Sequence, residues 1–428
     1  MKNLKIHENK RYLMWEDGTP FYYLADTAWE LAHKLNKRQI EQYLTVRAKQ
    51  GFHVIQVAAL AELDGIRKPN ALGHYPFPVR NGNYQVDFSV DCIETDYWND
   101  LDEFIQTAGD KNLIVGLLPT WGDKFNQLHG KGPEIFNPKN AYSYGKWLGE
   151  RYKNNWNLIW ILGGDRPLQT DFHRDIIDSM AAGIKTGDEG SHLMTFHPCG
   201  GASSLDFVPQ KDYIDFHAIQ SGHGMECYES WKILRKTRVK EEKPFLDMES
   251  RYEHFPACFH SDYGYEWDSA DLRQNNYWNM MEGACGQTYG HRAIWCFNER
   301  ISDENPYLWQ EVLQDSGALE MKYLEKLRLS RPFFEFRNAE ELIIGQIEGS
   351  GYQCAGRGEN YAYLYSPLGL PIYTDLTSFG GDCIKASWFN PRTGEENVFA
   401  AVTAIEKVFV PPSAGKGNDW VLILDKLQ

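Results

Sequence analysis

No apolar run in this chain approaches the length needed to cross a bilayer, so a membrane-spanning helix is not expected. No Lys/Arg cluster interleaves with aromatics, and the net charge is −15, which argues against a nucleic-acid partner. The eight cysteines are scattered without one CxxC pair. Cys199, Cys285, Cys296 and Cys354 stand in apolar or small-residue stretches and read as free thiols of a reducing compartment, not as a disulfide frame. The opening Met-Lys-Asn-Leu-Lys-Ile-His-Glu has no apolar core of a signal peptide, so a cytoplasmic location is expected. There is no GxSxG elbow, no P-loop and no HxH pair at the first strand end, which sets aside serine hydrolases, phosphate cradles and metal-dependent amidohydrolases. His254, His260 and Cys258 follow no standard zinc spacing and are expected in a surface loop; neither metal nor organic cofactor is expected.

What the chain has is aromatic mass, with 14 Trp and 24 Tyr among 428 residues, and a long alternation of strand and helix signals. Short apolar runs stand at residues 21–24, 54–60, 113–118, 158–162, 193–196, 216–219, 244–248 and 293–297. Helical periodicity fills 37–50, 97–109, 141–152, 171–185, 229–236 and 272–284, with Asp96, Asn140 and Asp171 as candidate N-caps. Eight alternations predict a (β/α)8 TIM barrel over residues 1–330, closed by a helix within 308–329. An open doubly wound sheet would carry a Gly-rich first turn, and the first run here ends Ala-Asp-Thr-Ala-Trp-Glu instead. From residue 331 the periodicity changes to short alternating runs at 342–347, 361–365, 384–389, 398–402, 407–410 and 420–424. That pattern predicts a small antiparallel β-sandwich over 331–428, packed rigidly on the barrel.

Two apolar runs end on an acid: Leu158-Ile-Trp-Ile-Leu-Gly-Gly-Asp165 and Pro244-Phe-Leu-Asp-Met-Glu249. Acids are depleted in strands because desolvating a charge is costly, so two of them at strand exits point to use. A pair of carboxylates facing each other across a barrel mouth is the equipment of a glycosidase, and about 5–5.5 Å between them gives retention. Glu249 is the expected nucleophile, held ionised by Arg251. Asp165 is the expected acid/base, raised by apolar walls, with Arg166 acting the other way if it turns inward. The other strand ends offer Asp26, Trp29 and Glu30; Glu62 and Asp64; Trp121 and Asp123; His197; Gln220 and His223; and Trp295, Asn298 and Glu299. Of these, Asp26, Trp29, Glu62, Trp121, Asp123, Arg166, His197, Gln220, His223, Arg251 and Trp295 are the candidate sugar-binding residues, the indoles as apolar walls.

The strings Asp26-Thr-Ala-Trp-Glu-Leu, Leu118-Pro-Thr-Trp-Gly-Asp-Lys, Gly132-Pro-Glu-Ile-Phe-Asn-Pro, Trp160-Ile-Leu-Gly-Gly-Asp-Arg and Ile219-Gln-Ser-Gly-His-Gly resemble the apiosidase-like catalytic domain of glycoside hydrolase family 140. So does the stretch from Val57 that ends Ala-Glu-Leu-Asp-Gly. The tail, with Trp388-Phe-Asn-Pro-Arg-Thr-Gly and Asp419-Trp-Val-Leu-Ile-Leu-Asp, resembles the β-sandwich that usually follows it, which carries a collagen-binding label. The resemblance covers nearly the whole chain. It implies a retaining exo-enzyme that releases terminal apiose from pectic oligosaccharides or plant glycosides. It also implies an aspartate acid/base after the fourth strand, matching Asp165, and a glutamate nucleophile after the seventh, matching Glu249. Glu299 departs from the pattern and would be a rival acid under a different strand count. Another pentosidase, such as an arabinofuranosidase, remains open, and so does a non-catalytic carbohydrate-binding protein. The oligomeric state is not legible.

Overall fold

The computed structural model describes residues 3–63, 65–80, 85–86, 95–224 and 229–427. Eight strands alternate with helices along the first three quarters of the chain. They are β1 Tyr23–Thr27, β2 Val54–Ala58, β3 Ile114–Leu118, β4 Leu158–Gly163, β5 Met194–His197, β6 His217–Ile219, β7 Phe245–Asp247 and β8 Gly286–Tyr289. Besides the short turn Leu31–Lys34, the helices among the described residues are α1 Lys37–Gln50, α2 Asp96–Asp110, α3 Pro138–Tyr152, α4 Asp171–Gly187, the single turn α5 Ser204–Phe207, α6 Ser230–Arg238, α7 Ser269–Met281 and α8 Ser316–Leu329. Six strands pair in the order β5-β4-β3-β2-β1-β8, with β1 parallel to both β2 and β8, and β6 pairs parallel with β7. Hydrogen bonds join the two groups on both sides. Thr195 Oγ1 donates to Phe216 O at 2.6 Å, and Cys285 N donates to Phe245 O at 2.9 Å. The result is a (β/α)8 barrel.

The helices form where the periodicity places them, but their caps lie one to three residues earlier. Asn36 closes a capping box with Gln39 on α1, and Gly51 ends that helix at φ +91°. Asn137 caps α3 and Thr170 caps α4. Asp96, Asn140 and Asp171, expected as caps, sit inside the first turns; Asn140 is the return partner of the Asn137 box.

The eighth strand is displaced from its expected place. The apolar run at 293–297 forms turns packed into the core, and the strand is the polar Gly-Gln-Thr-Tyr at 286–289. Its polar groups are satisfied inside: Tyr22 Oη donates to Gln287 at 3.1 Å, and Thr288 Oγ1 donates to Asp247 O at 3.1 Å. A strand whose side chains find internal partners gives no hydrophobic run.

Eight further strands follow: β9 Arg337–Asn338, β10 Cys354–Arg357, β11 Tyr361–Ser366, β12 Ile372–Asp375, β13 Ile384–Asn390, β14 Glu395–Val402, β15 Glu406–Phe409 and β16 Trp420–Lys426. The larger sheet runs antiparallel in the order β9-β10-β11-β16-β13-β14, and β12 pairs with β15. The run expected as a strand at 342–347 is instead a 3-10 turn, Glu340–Leu342, followed by one isolated bridge from Ile343. The sandwich leans on α7. Arg273 reaches Asp419 at 2.8 Å, Tyr277 stacks on Tyr365 at 4.9 Å, and Trp278 Nε1 donates to Tyr352 O at 2.8 Å. The cysteines among the described residues are free thiols.

Candidate active site

β4 ends in three consecutive residues of left-handed backbone: Gly163 at φ +89°, Gly164 at +107° and Asp165 at +55°. A Cβ on Gly163 would meet His197 O at 2.4 Å, so the turn both requires glycine conformation and leaves no room for a side chain. The turn swings Asp165 off the sheet in a conformation that non-glycine residues rarely adopt. Arg166, fully buried, is shared between two acids: Nη1 donates to Asp165 Oδ2 at 2.9 Å and Nη2 to Glu62 Oε1 at 2.6 Å. Despite the guanidinium, the Asp165 carboxyl is pushed up to about 6, first by burial and then by the charge of Glu249, against the lowering of Arg166 and His197.

Glu249 follows β7 and is buried. His197 Nε2, from the end of β5, lies 3.2 Å from its Oε2, and His223 Nε2, from the end of β6, lies 3.4 Å from its Oε1. Burial alone would raise this carboxyl; the two imidazoles outweigh it and hold it down at about 2. Trp29 and Trp121 complete the wall. Their rings are 5.2 Å apart and lie 5.2 and 6.0 Å from His197, and Trp29 Nε1 donates to Tyr252 Oη at 2.8 Å. Burial, then the Glu249 charge, keeps the Tyr252 phenol protonated. One carboxyl is thus biased toward its acid form beside one biased toward its anion. That division of labour fits an acid/base and a nucleophile.

Trp29, Glu62, Trp121, Arg166, His197, Gln220 and His223 all come to this mouth or the groups lining it, with Gln220 buried at the end of β6. Trp295, half-buried against the hydrophobic core, arrives from the turn after β8 rather than from a strand, its carbonyl accepting Glu30 N at 3.1 Å. Three expected sugar ligands do not serve there. Asp26 lies between Ala25 and Thr27 on β1 and, by the strand's alternation, faces outward to α1. There Arg47 Nε and Tyr43 Oη both donate to its Oδ2 at 2.5 Å. Asp123 is buried within its own loop, paired with Lys124 at 2.5 Å and accepting Gly132 N at 2.7 Å. Arg251 turns toward α7, donating to Asp271 O at 3.1 Å and Gln274 Oε1 at 3.0 Å, with its guanidinium 5.0 Å over Trp267. Its expected role of holding Glu249 ionised falls to His197 and His223 instead.

Glu299, the rival acid, accepts Gln39 Nε2 at 2.8 Å on the exposed side of α1. Glu30 is buried and accepts Leu63 N at 2.9 Å, its carboxyl pushed up to about 7 by burial. Asp64 lies outside the described residues. Tyr252, three residues past Glu249, proves to be a further wall of the mouth. A phenol two or three residues past an acid carries no distinctive signal.

His254 groups with His291 and Asp315, not with His260 and Cys258, and the three donor atoms lie within 4.8 Å of one another. His291 Nδ1 accepts the Ala293 N–H at 2.9 Å, so its Nε2 carries the ring hydrogen toward Asp315 at 3.1 Å. That nitrogen has no lone pair for a metal, and the trio reads as a hydrogen-bonded clamp between loops.

Residues 7–335 match the family described as "Apiosidase-like, catalytic domain", and residues 338–425 match that described as "Putative collagen-binding domain of a collagenase". No curated protein matches the chain. Among solved structures, one named "Glycoside hydrolase" is 30% identical over 99% of this chain and 97% of its own, with a TM-score of 0.87. A glycoside hydrolase family 5 protein from Bacteroides vulgatus is 29% identical over 99% and 94%, with a TM-score of 0.89. A structure named "putative glycoside hydrolase" from the same species is 14% identical over 100% of this chain and 82% of its own, with a TM-score of 0.69, a likeness of fold alone.

Proposed function

This chain belongs to the apiosidase-like catalytic domain family and is a glycoside hydrolase, and from that premise we propose that it is a retaining exo-apiosidase of glycoside hydrolase family 140. In this reading Glu249 attacks the anomeric carbon and Asp165 protonates the departing oxygen. Asp165 then takes a proton from the water that releases the sugar. The observation that carries the reading is the opposed state of the two carboxyls, Asp165 raised to about 6 in part by the charge of a Glu249 held down at about 2. An acid that gives up its proton as the neighbouring charge is consumed, and regains it as that charge returns, matches the two halves of a double displacement. Trp29 and Trp121 offer apolar faces to a small ring. Glu62, Arg166, Gln220, His197 and His223 supply polar groups for hydroxyls. The substrates this reading favours are plant glycosides or pectic oligosaccharides with a terminal apiofuranosyl unit. The C-terminal module then serves chiefly as a brace on α7, supported by the Arg273–Asp419 pair and the stacked Tyr277 and Tyr365.

The test is a panel of aryl pentosides and natural apiosides with product analysis by chromatography and by NMR of the first-formed anomer. Single apiose units released with retained configuration are expected. Cleavage of arabinofuranosides but not apiosides would overturn the sugar, and an inverted first product would overturn the mechanism.

A further inference from the structure

The loop between β7 and α7 adds two rings to His223 from the loop after β6, in a row that starts at the nucleophile and ends in solvent. His223, 3.4 Å from Glu249, stacks on Phe255 with centroids 4.5 Å apart. Phe259 meets both edge-on, 5.7 Å from His223 and 5.5 Å from Phe255. His223 is buried, whereas Phe259 is 65% exposed. The backbone that presents it is strained, with Cys258 at φ +56° and Phe259 at +63°; positive φ at a bulky residue is a genuine outlier. The loop is also held from the sandwich side. Lys416 bonds Asp268 Oδ2 at 2.7 Å and lies 4.5 Å over the Tyr265 ring. A single exposed phenylalanine is ordinary. One seated on two rings beside the nucleophile, on strained and anchored backbone, is placed.

We propose that Phe259, backed by Phe255 and His223, is the platform for the leaving group: a flat ring with an apolar face, either a phenolic plane or the C–H face of a second sugar. This rests on the exo reading, in which the cleaved sugar fills the pocket over Glu249 and only the leaving group extends to the rim. The ring would lie on Phe259 by stacking, which makes this residue a determinant of which glycosides are cleaved and not of the chemical step.

The experiment compares the full-length wild type and F259A on three glycosides of whichever pentose the wild type releases, with methyl, aryl and glycosyl leaving groups. On the ring-bearing substrates kcat/KM should fall about tenfold, through KM, while the methyl glycoside stays within about twofold and F259W restores the loss. A loss on the aryl substrate alone identifies a phenolic ring, a loss on the glycosyl substrate alone a sugar, and losses on both a platform for either. An equal loss on the methyl glycoside, or none on either ring-bearing substrate, overturns the platform. Wild-type cleavage of arabinofuranosides but not apiosides overturns the apiose assignment only, because the three-way comparison then runs on arabinofuranosides.

Discussion

The ends of β4 and β7 carry chemically similar acids in opposite states. Asp165 has a guanidinium at 2.9 Å and is nevertheless raised, while Glu249 has no such partner among its main influences and is lowered. Arg166 divides its charge between Asp165 and Glu62, and burial and the neighbouring Glu249 outweigh what reaches Asp165. Glu249 has two imidazoles, one to each oxygen. A carboxyl's role at a mouth of this kind is therefore read from the sum of its neighbours, and the nearest cation does not decide it.

The largest effect that can break this comparison is loss of Glu249. E249A should reduce turnover on every glycoside by on the order of 10⁴-fold or more, because no covalent intermediate can form. Residual activity above a hundredth of wild type in steady-state assays would remove it as nucleophile.

Next comes Asp165. D165A should cost about 10²–10⁴-fold on natural glycosides and far less on activated aryl ones, whose leaving groups need little protonation. Equal losses on both substrate types would move the acid role elsewhere.

The pH profile sharpens the same contrast. Asp165 must be protonated at the start, so with its carboxyl at about 6 activity on a natural glycoside should fall as pH rises through about 6. Glu249 must be ionised and, at about 2, should impose no acidic limb in the usual range. Replacing His197 with Ala removes a lowering influence, so an acidic limb should move up into measurable pH. Rate profiles of the variant that keep the wild-type acidic side would contradict the imidazole account.

The smallest effect on turnover is expected at Asp26, a strand-end acid that the fold turns outward. Breaking the buried pair with Arg47 in D26N should cost about 3–5 kcal/mol of stability in denaturant unfolding. Folded D26N should keep kcat/KM near wild type. A specific loss of kcat without destabilisation would return Asp26 to the site.

Much was legible in the chain. Lys37–Gln50 carries its period, its Asn36 cap and its Gly51 stop, so its helix is local information. The apolar runs of β2, β3, β4 and β7 are buried on both faces and therefore announce themselves, and the acids that end the runs of β4 and β7 stand out against them. β8 was not legible, because its Gln287 and Thr288 are stabilised by partners from Tyr22 and the Asp247 carbonyl that only the closed barrel supplies.

The sequence by itself determined the alternation of elements, the change to a β module after the barrel, and the two acids whose position at strand exits needed an explanation. Those are properties of period, composition and local chain stiffness, which neighbours in sequence set. Tertiary structure decided which way each acid points and what charge it carries. Asp26 went to Arg47, Asp123 to its own loop, Arg251 to α7, and the ionisation of Glu249 to histidines from β5 and β6. These depend on burial and on charges brought together from different strands, and electrostatic energy follows distance in space, which the order of residues does not encode.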